Sequence, residues 1–296
     1  MKILIIGKDG QLGRSIHKIL KLNDNFKKSF ENFIFIGRED LDMNNMDSIN
    51  GYFENKNFDL IINCAAYTAV DQAEHEVDFA KNINHFAVKQ LAKIAYKKNA
   101  KLIHISTDFV FDGESDNPYT EIEKTNPLNI YGKTKLAGEK SIQKIMPTNA
   151  IILRTSWLYS EFGNNFFKKI IRLGKDQTEI SVVNDQIGSP TYASDLAFLI
   201  LEILNNDEFR KKNPVTQIYH FSNKGQISRY EFANEILKIA SSNCKAISVE
   251  TQKNSTIARR PRKVILDNTK IEKYLNLNNS FWKESLKKAY LLTKDI

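Results

Sequence analysis

Five short apolar runs punctuate the first 160 residues: KILIIG (2–7), NFIFIG (32–37), DLIINCAAY (59–67), KLIHIST (101–107) and NAIILRTSWLY (149–159). Each is too short for a buried helix and lacks the polar alternation of a half-exposed strand, so each reads as a strand covered on both faces. Between the third and fourth, DFAKNINHFAVKQLAKIAYKKNA places Phe79, Ile83, Phe86, Val88, Leu91, Ile94 and Ala95 at helical spacing. Buried strands alternating with helices predict an α/β chain, a doubly wound parallel sheet of the Rossmann type.

After about residue 160 the pattern loosens. EISVVNDQIGSPTYASDLAFLILEIL reads as a short strand, a Gly-Ser-Pro turn and a helix, and QIYHFSN (217–223) as a strand. SRYEFANEILKIA and SFWKESLKKAYLL follow as amphipathic helices. The expected division is a nucleotide-binding core over 1–160 and, over 161–296, mainly a smaller C-terminal substrate-binding lobe with some segments returning to the core.

Composition narrows the classes. No stretch nears the roughly 20 apolar residues of a membrane span, and the apolar run of MKILIIG falls short of the ~7–15 residues of a signal-peptide core, so no membrane partner is expected. Two cysteines, Cys64 and Cys244, give neither a disulfide framework nor a zinc site and suit a cytoplasmic protein with reduced thiols. The net charge of +8 comes from lysines scattered among acids, as in YKKNA, FFKKI and FRKKN. That is a solvated surface; nucleic acid is not the expected partner, and an anionic nucleotide-type small molecule is the next reading.

Gly7-Lys8-Asp9-Gly10-Gln11-Leu12-Gly13 directly follows the first strand and opens the first helix. Glycines so placed make the tight turn, admit a pyrophosphate to the backbone and seat the helix on the sheet, while the helix N-terminus offers free N–H groups. The spacing is GxxGxxG, and strand and helix on either side make it a dinucleotide site. After the second strand stands Gly37-Arg38-Glu39-Asp40. Arg38 suits a ribose 2′-phosphate and therefore NADPH; the adjacent acids keep NADH possible. Asp42 and Met43 would border the adenine.

The fourth strand ends in Ser106-Thr107-Asp108, at the carboxyl edge where such sheets bind ligands. Tyr131 and Lys135, four residues apart, share one helical face. A free phenol has a pKa near 10; an ammonium one turn away and a hydroxyl partner would bring it toward neutrality. Thr107, Tyr131 and Lys135 together are the kit for proton transfer to a carbonyl while a nicotinamide moves hydride.

The glycine loop, the Ser/Thr strand end and the YxxxK helix resemble the extended short-chain dehydrogenase/reductase superfamily. NCAAYTAVDQAE (63–74), STDFVFDG (106–113), NPLNIYGKTKLAGEK (126–140), ILRTSWLY (152–159), NNFFKKIIRL (164–173), NDQIGSPTYASDLA (184–197) and ARRPR (258–262) resemble, in order and spacing, the dTDP-4-dehydrorhamnose reductase family. The resemblance implies reduction at C4 of a nucleotide-diphosphate sugar, dTDP-4-dehydro-6-deoxy-L-mannose, by NAD(P)H to dTDP-L-rhamnose, for cell-surface polysaccharide.

By that resemblance Tyr131 is the general acid, while Lys135 orients the nicotinamide ribose and lowers the tyrosine pKa. Thr107 and Asp108 hydrogen-bond the sugar, and Trp157 covers sugar or base, a core indole being the plainer reading. Gly10, Gln11 and Leu12 hold the pyrophosphate, Ala65, Ala66 and Tyr67 line the cofactor path, and Asn84 is a proton-relay asparagine. Arg259, Arg260 and Arg262 either reach the diphosphate or form a solvated basic loop. Some relatives pair through magnesium held by a carboxylate where this chain has Ser15, so no metal is expected and the chain is a monomer or homodimer. Val264 stands where the pattern usually has Ser. The alternatives are an epimerase or dehydratase on the same fold, and a non-catalytic, NADP-binding regulatory subunit of a methionine adenosyltransferase.

Overall fold

The computed structural model describes residues 1–23, 26, 32–251 and 257–293. Six parallel strands form one sheet in the order β2-β1-β3-β4-β5-β10, where β1 is Lys2–Ile6, β2 Asn32–Ile36, β3 Leu60–Asn63, β4 Lys101–Thr107, β5 Ala150–Thr155 and β10 Gln217–Phe221. The period of two splits β1 between two cores. Ile3 and Ile5 face one helical layer with Leu12 and Ile16 of α1 (Gln11–Leu22) and Leu196, Ile200 and Ile203 of α7 (Ala193–Asn205). Leu4 and Ile6 face the other, with Ile49 and Phe53 of α2 (Met46–Phe53), Leu91 and Ala95 of α4 (Ala87–Lys97) and Ile142 of α5 (Ile130–Ile145). Cover on both faces is why these strands read as unbroken apolar runs.

The long amphipathic stretch is not one regular helix. α3 (Val77–Lys81) passes through a π-helical turn, Asn82–Phe86, into α4. Such a bulge turns a side chain out of register, here the buried Asn84.

A third core belongs to the smaller lobe. Tyr159 of β6 (Leu158–Tyr159), Phe167 and Ile170 of α6 (Phe166–Asp176), Ile180 and Val182 of β7 (Glu179–Val183), Phe232 and Ile236 of α9 (Arg229–Ile239) and Trp282 and Leu286 of α11 (Trp282–Leu291) pack together. Two-residue strands β8 (Ile187–Gly188), β9 (Thr191–Tyr192) and β11 (Ile227–Ser228) pin its loops, and β12 (Lys245–Val249) pairs with β7. Helices α8 (Asp207–Arg210) and α10 (Thr269–Leu275) complete the chain. Residues 193–205 and 217–221 return from the second half to the first core. No helix among the described residues is long and apolar enough to cross a membrane.

Candidate active site

Because β1 pairs with β2 on one side and β3 on the other, the connections leaving β1 and β3 diverge and open a crevice beyond their carboxyl ends. A cleft of about 870 Å³ occupies it and runs between the core and the lobe.

The glycine loop forms one wall. Gly7 has φ +94°, and a Cβ there would lie 3.0 Å from the Ala65 nitrogen, so this turn tolerates only glycine. A Cβ on Gly13 would stand 2.2 Å from the Gly7 carbonyl oxygen. Gly10 differs: a Cβ would meet no protein atom nearer than 3.4 Å, and the space it leaves is open to the cleft. Gly10 caps α1 without any side-chain bond and the first turn carries no acid, so the N–H groups of that turn stay available to an anion. The Gln11 side chain is otherwise engaged. Its Oε1 accepts from Ser160 Oγ at 3.0 Å and Asn165 Nδ2 at 2.9 Å, which ties the core to the lobe.

At the next strand end Arg38, Asp42 and Met43 line the cleft. Glu39 and Asp40 are turned to other work: Glu39 pairs with Lys8, and Asp40 accepts from the Gly37 N–H at 3.0 Å. Arg38 stays exposed in the cleft lining, 3.8 Å from the Asp42 carboxylate, and Asp9 lines the same end. Ala65, Ala66 and Tyr67 continue the wall. Asn84 clamps this segment, accepting from Tyr67 N and donating to Tyr67 O, both at 3.0 Å, and reaching Thr134 Oγ1 at 3.3 Å. Both polar atoms of its side chain are engaged in this bracket.

Thr107, Asp108, Tyr131 and Lys135 gather at the floor. Thr107 Oγ1 donates to Asp108 Oδ1 at 3.1 Å and accepts from the Phe109 N–H at 3.2 Å, and its hydroxyl also neighbours that of Tyr131. Thr107 has one hydrogen to give, contested by the Asp108 carboxylate and any Tyr131 phenolate. Burial pushes the Tyr131 phenol up to about 12, the Thr107 contact opposing and Asp108 reinforcing it. This corrects the expectation of a lowered pKa: Lys135 Nζ is spent on the Ile105 carbonyl, 2.6 Å away, and on His104 Nε2. The phenol is therefore held protonated, as a proton donor requires. Burial brings Lys135 down to about 8, against the pull of Glu139.

Burial raises Asp108 to about 7, opposed by Thr107 and by the charge of Arg229. A carboxyl whose folded pKa lies above its ordinary 3.8 contributes stability that is complete below that value and lost as pH rises through about 7. Asp108→Asn should accordingly flatten the dependence of unfolding free energy on pH across that window. A slope unchanged from wild type in denaturant titrations would remove Asp108 as its source.

Trp157 follows β5 with φ +45°, a left-handed backbone that costs a non-glycine residue roughly 1 kcal/mol. The Arg229 guanidinium lies 3.6 Å from the indole centroid, and a Cβ on Gly188 would fall 2.6 Å from indole Cε2. The ring is held at the mouth of the cleft by a cation and a glycine. Of the three arginines of ARRPR only Arg260 lines the cleft, bonded to Asp71 at 2.6 Å; Arg259 and Arg262 are exposed. Val264 is buried with Val110, Phe111 and Leu136. Ser15 is buried too, donating to Gln11 O.

Sequence reasoning missed Arg229 and the segment 163–166, which also line the cleft. Ser228 and Glu231 mark a helix start by their capping box, but nothing local says that its first residue faces a ligand. Two hydroxyls of the cleft lining, Thr155 Oγ1 and Tyr159 Oη, have no partner among the described residues.

Residues 1–293 match the family model described as RmlD substrate binding domain. The chain belongs to the RmlD substrate-binding-domain family. It is similar to the dTDP-4-dehydrorhamnose reductase of Aggregatibacter actinomycetemcomitans, 38% identical over 295 residues with 97% of each chain covered. Among solved structures it resembles the dTDP-4-dehydrorhamnose reductase of Clostridium acetobutylicum, 41% identical with TM-score 0.90, covering 99% of this chain and 100% of that one. The Bacillus anthracis reductase, solved in complex with NADP, is 37% identical with TM-score 0.88 at the same coverage. Membership of the RmlD family bears out the resemblance drawn from the motifs.

Proposed function

We propose that this protein reduces the C4 keto group of dTDP-4-dehydro-6-deoxy-L-mannose with NADPH, giving dTDP-L-rhamnose for cell-surface polysaccharide. The observation that carries the reading is the meeting of Thr107, Tyr131 and Lys135 at the floor of a cleft whose opposite wall is a glycine turn at a helix N-terminus. The relatives at 36–41% identity, named as reductases of this sugar nucleotide, supply the substrate.

The cleft fits a dinucleotide. The space beside Gly10 and the uncapped first turn of α1 would take the pyrophosphate, and Met43, Ala65, Ala66 and Tyr67 the path on either side. Arg38, with Glu39 and Asp40 drawn off to Lys8 and Gly37, supports a 2′-phosphate and hence NADPH over NADH. Gly13→Ala should weaken NADPH binding by roughly tenfold or more, since a methyl against a backbone carbonyl costs about 1–3 kcal/mol. Fluorescence titration measures it, and an unchanged Kd would contradict the cradle.

The chemistry that bound NADPH supplies is hydride donation to the carbonyl carbon. Tyr131 gives its phenolic proton to the carbonyl oxygen as that oxygen becomes a hydroxyl. Thr107 then turns its O–H from Asp108 to the phenolate, a step made easier when Asp108 is protonated. In its protonated form Lys135 sets positive charge near the phenolate's side of the cleft, and Trp157 with Arg229 places the sugar nucleotide at the mouth. Cys64 and Cys244 are unpaired, which supports a cytoplasmic enzyme.

The test is NADPH oxidation in the presence of the 4-keto sugar nucleotide. The reading expects turnover of one cofactor per sugar; binding of both without oxidation would favour a regulatory subunit instead.

A further inference from the structure

Lys135 hangs over a buried chain of polar groups that none of the roles above uses. The Ala65 N–H donates to Asn63 Oδ1 at 3.1 Å, which fixes the amide so that Nδ2 faces His104 Nδ1, also at 3.1 Å. An amide nitrogen only donates, so Nδ1 carries the lone pair and the proton of the neutral imidazole belongs on Nε2. Nε2 in turn stands 3.3 Å from Lys135 Nζ. An ammonium has no lone pair to accept that N–H; an amine has one, and keeps two hydrogens, one of them for the Ile105 carbonyl. With Lys135 neutral every bond closes in one direction, from Ala65 to Ile105. With Lys135 charged, two donors face each other across His104 Nε2, unless the ring moves its proton to Nδ1 and confronts Asn63 Nδ2 instead.

The other buried histidine runs the opposite way. His220 Nδ1 lies 3.0 Å from the Tyr119 carbonyl and must carry the proton, which leaves Nε2 to accept from Arg154 Nη1 at 3.4 Å. There the facing cation is one that never gives up its charge, and the tautomer suits it.

We propose that Asn63 and His104 are positioning residues for the reaction: by presenting an N–H to Nζ they stabilise Lys135 as the neutral amine and set the pH at which it gains its proton. Burial, which lowers the pKa of both His104 and Lys135, works in the same direction. The chain also links that proton to the Ala65 backbone in the cleft wall, so an anionic ligand that favours the ammonium has to shift the His104 tautomer. Around α5 the other titratable or charged groups are Tyr131, Glu139 and the exposed Lys133, Lys140 and Lys144 on the helix itself, Asp108 after β4, Arg154 on β5 and Glu74, which accepts from the Ile130 N–H. His85 is half-buried, Lys101 is bonded to Phe209 and Lys211 at the far end of β4, and Asp78, Lys81, Lys89, Lys93, Tyr96 and Lys97 are exposed. None of these supplies Nζ with a carboxylate partner among the described residues.

The role in the reaction rests on the proposed reductase activity; the titration itself does not, because it is read on the ligand-free protein. In full-length protein carrying lysine labelled at the ε carbon with carbon-13, one resonance, missing in Lys135→Met, should titrate near or below about 8. Asn63→Asp replaces the facing donor with an acceptor, pulls the ring proton to Nδ1 and should raise that midpoint by more than about one pH unit. In a His104→Phe background the same substitution should shift it far less, since the relay is cut. Equal shifts with and without His104, or no shift in either, would overturn the proposal. If Asn63→Asp does not fold, calorimetry on wild type decides: NADPH binding at about pH 8.5, measured in two buffers of different ionisation enthalpy, should take up a fraction of a proton that His104→Phe loses. Uptake that is absent from wild type, or unchanged in His104→Phe, would equally overturn it.

Discussion

Replacing Tyr131 with phenylalanine is expected to lower kcat by about 10²–10⁴-fold while leaving the affinity for NADPH close to that of wild type. The substitution removes one oxygen, and the ring that remains still packs edge-on to Phe109, 5.5 Å between centroids. Asn129 still caps the helix through Gly132 N, at 2.8 Å, so the floor keeps its shape. What is lost is the proton for the new alkoxide, and no nearby group replaces it. Thr107 already gives its hydrogen to Asp108, and Asp108, near 7, is largely ionised in mildly alkaline solution. Parallel falls in kcat and kcat/KM would mark an interaction made only in the transition state. A variant with wild-type turnover would take Tyr131 out of the mechanism.

The largest stability effect is expected from Glu139→Leu, at about 3–5 kcal/mol. Glu139 and Arg154 are 1% and 3% exposed, among the most deeply buried charges of the described residues. Arg154 Nη2 donates to Oε2 at 2.7 Å and Nε to Oε1 at 3.0 Å, and Ser106 Oγ adds a third donor at 2.5 Å. Leucine would leave a guanidinium with no counter-charge in the sheet, beside Phe111 and His220. The pair was costly to desolvate, so removing both charges is the gentler change: Glu139→Leu with Arg154→Met should recover most of the loss. Urea unfolding of the three variants measures this, and a single variant within about 1 kcal/mol of wild type would contradict it. Because Glu139 supports the Lys135 ammonium, the same variant should also lower the Lys135 titration further.

What the sequence made legible is what local patterns specify. KILII followed by three spaced glycines is a strand, a turn and a helix start whatever the rest of the chain does, and the φ of Gly7 is the physical reason. Tyr131 and Lys135 were readable for the same reason, since their spacing alone puts them on one face. Contacts that depend on distant segments were not. His104 is one residue in an apolar run, and its partners Asn63 and Lys135 arrive from 41 and 31 residues away. Arg229 reaches the cleft only because the lobe's third core seats α9 against it. The π-turn at Asn82–Phe86 was hidden inside a regular helical pattern, and with it the reason Asn84 grips Tyr67. Arg38 is plain in the sequence, but the pairing of its neighbour Glu39 with Lys8 of the glycine loop is a tertiary contact that no local pattern specifies.

The central claim is that a proton from this floor and a hydride from the facing nicotinamide site meet at one sugar carbon. NADPH deuterated at the transferable position, incubated with dTDP-4-dehydro-6-deoxy-L-mannose and the wild-type protein, tests it most directly. The account predicts dTDP-L-rhamnose bearing a single deuterium at C4, with one cofactor oxidised for each sugar. Unlabelled sugar, recovered intact or isomerised while the cofactor stays reduced, would contradict it.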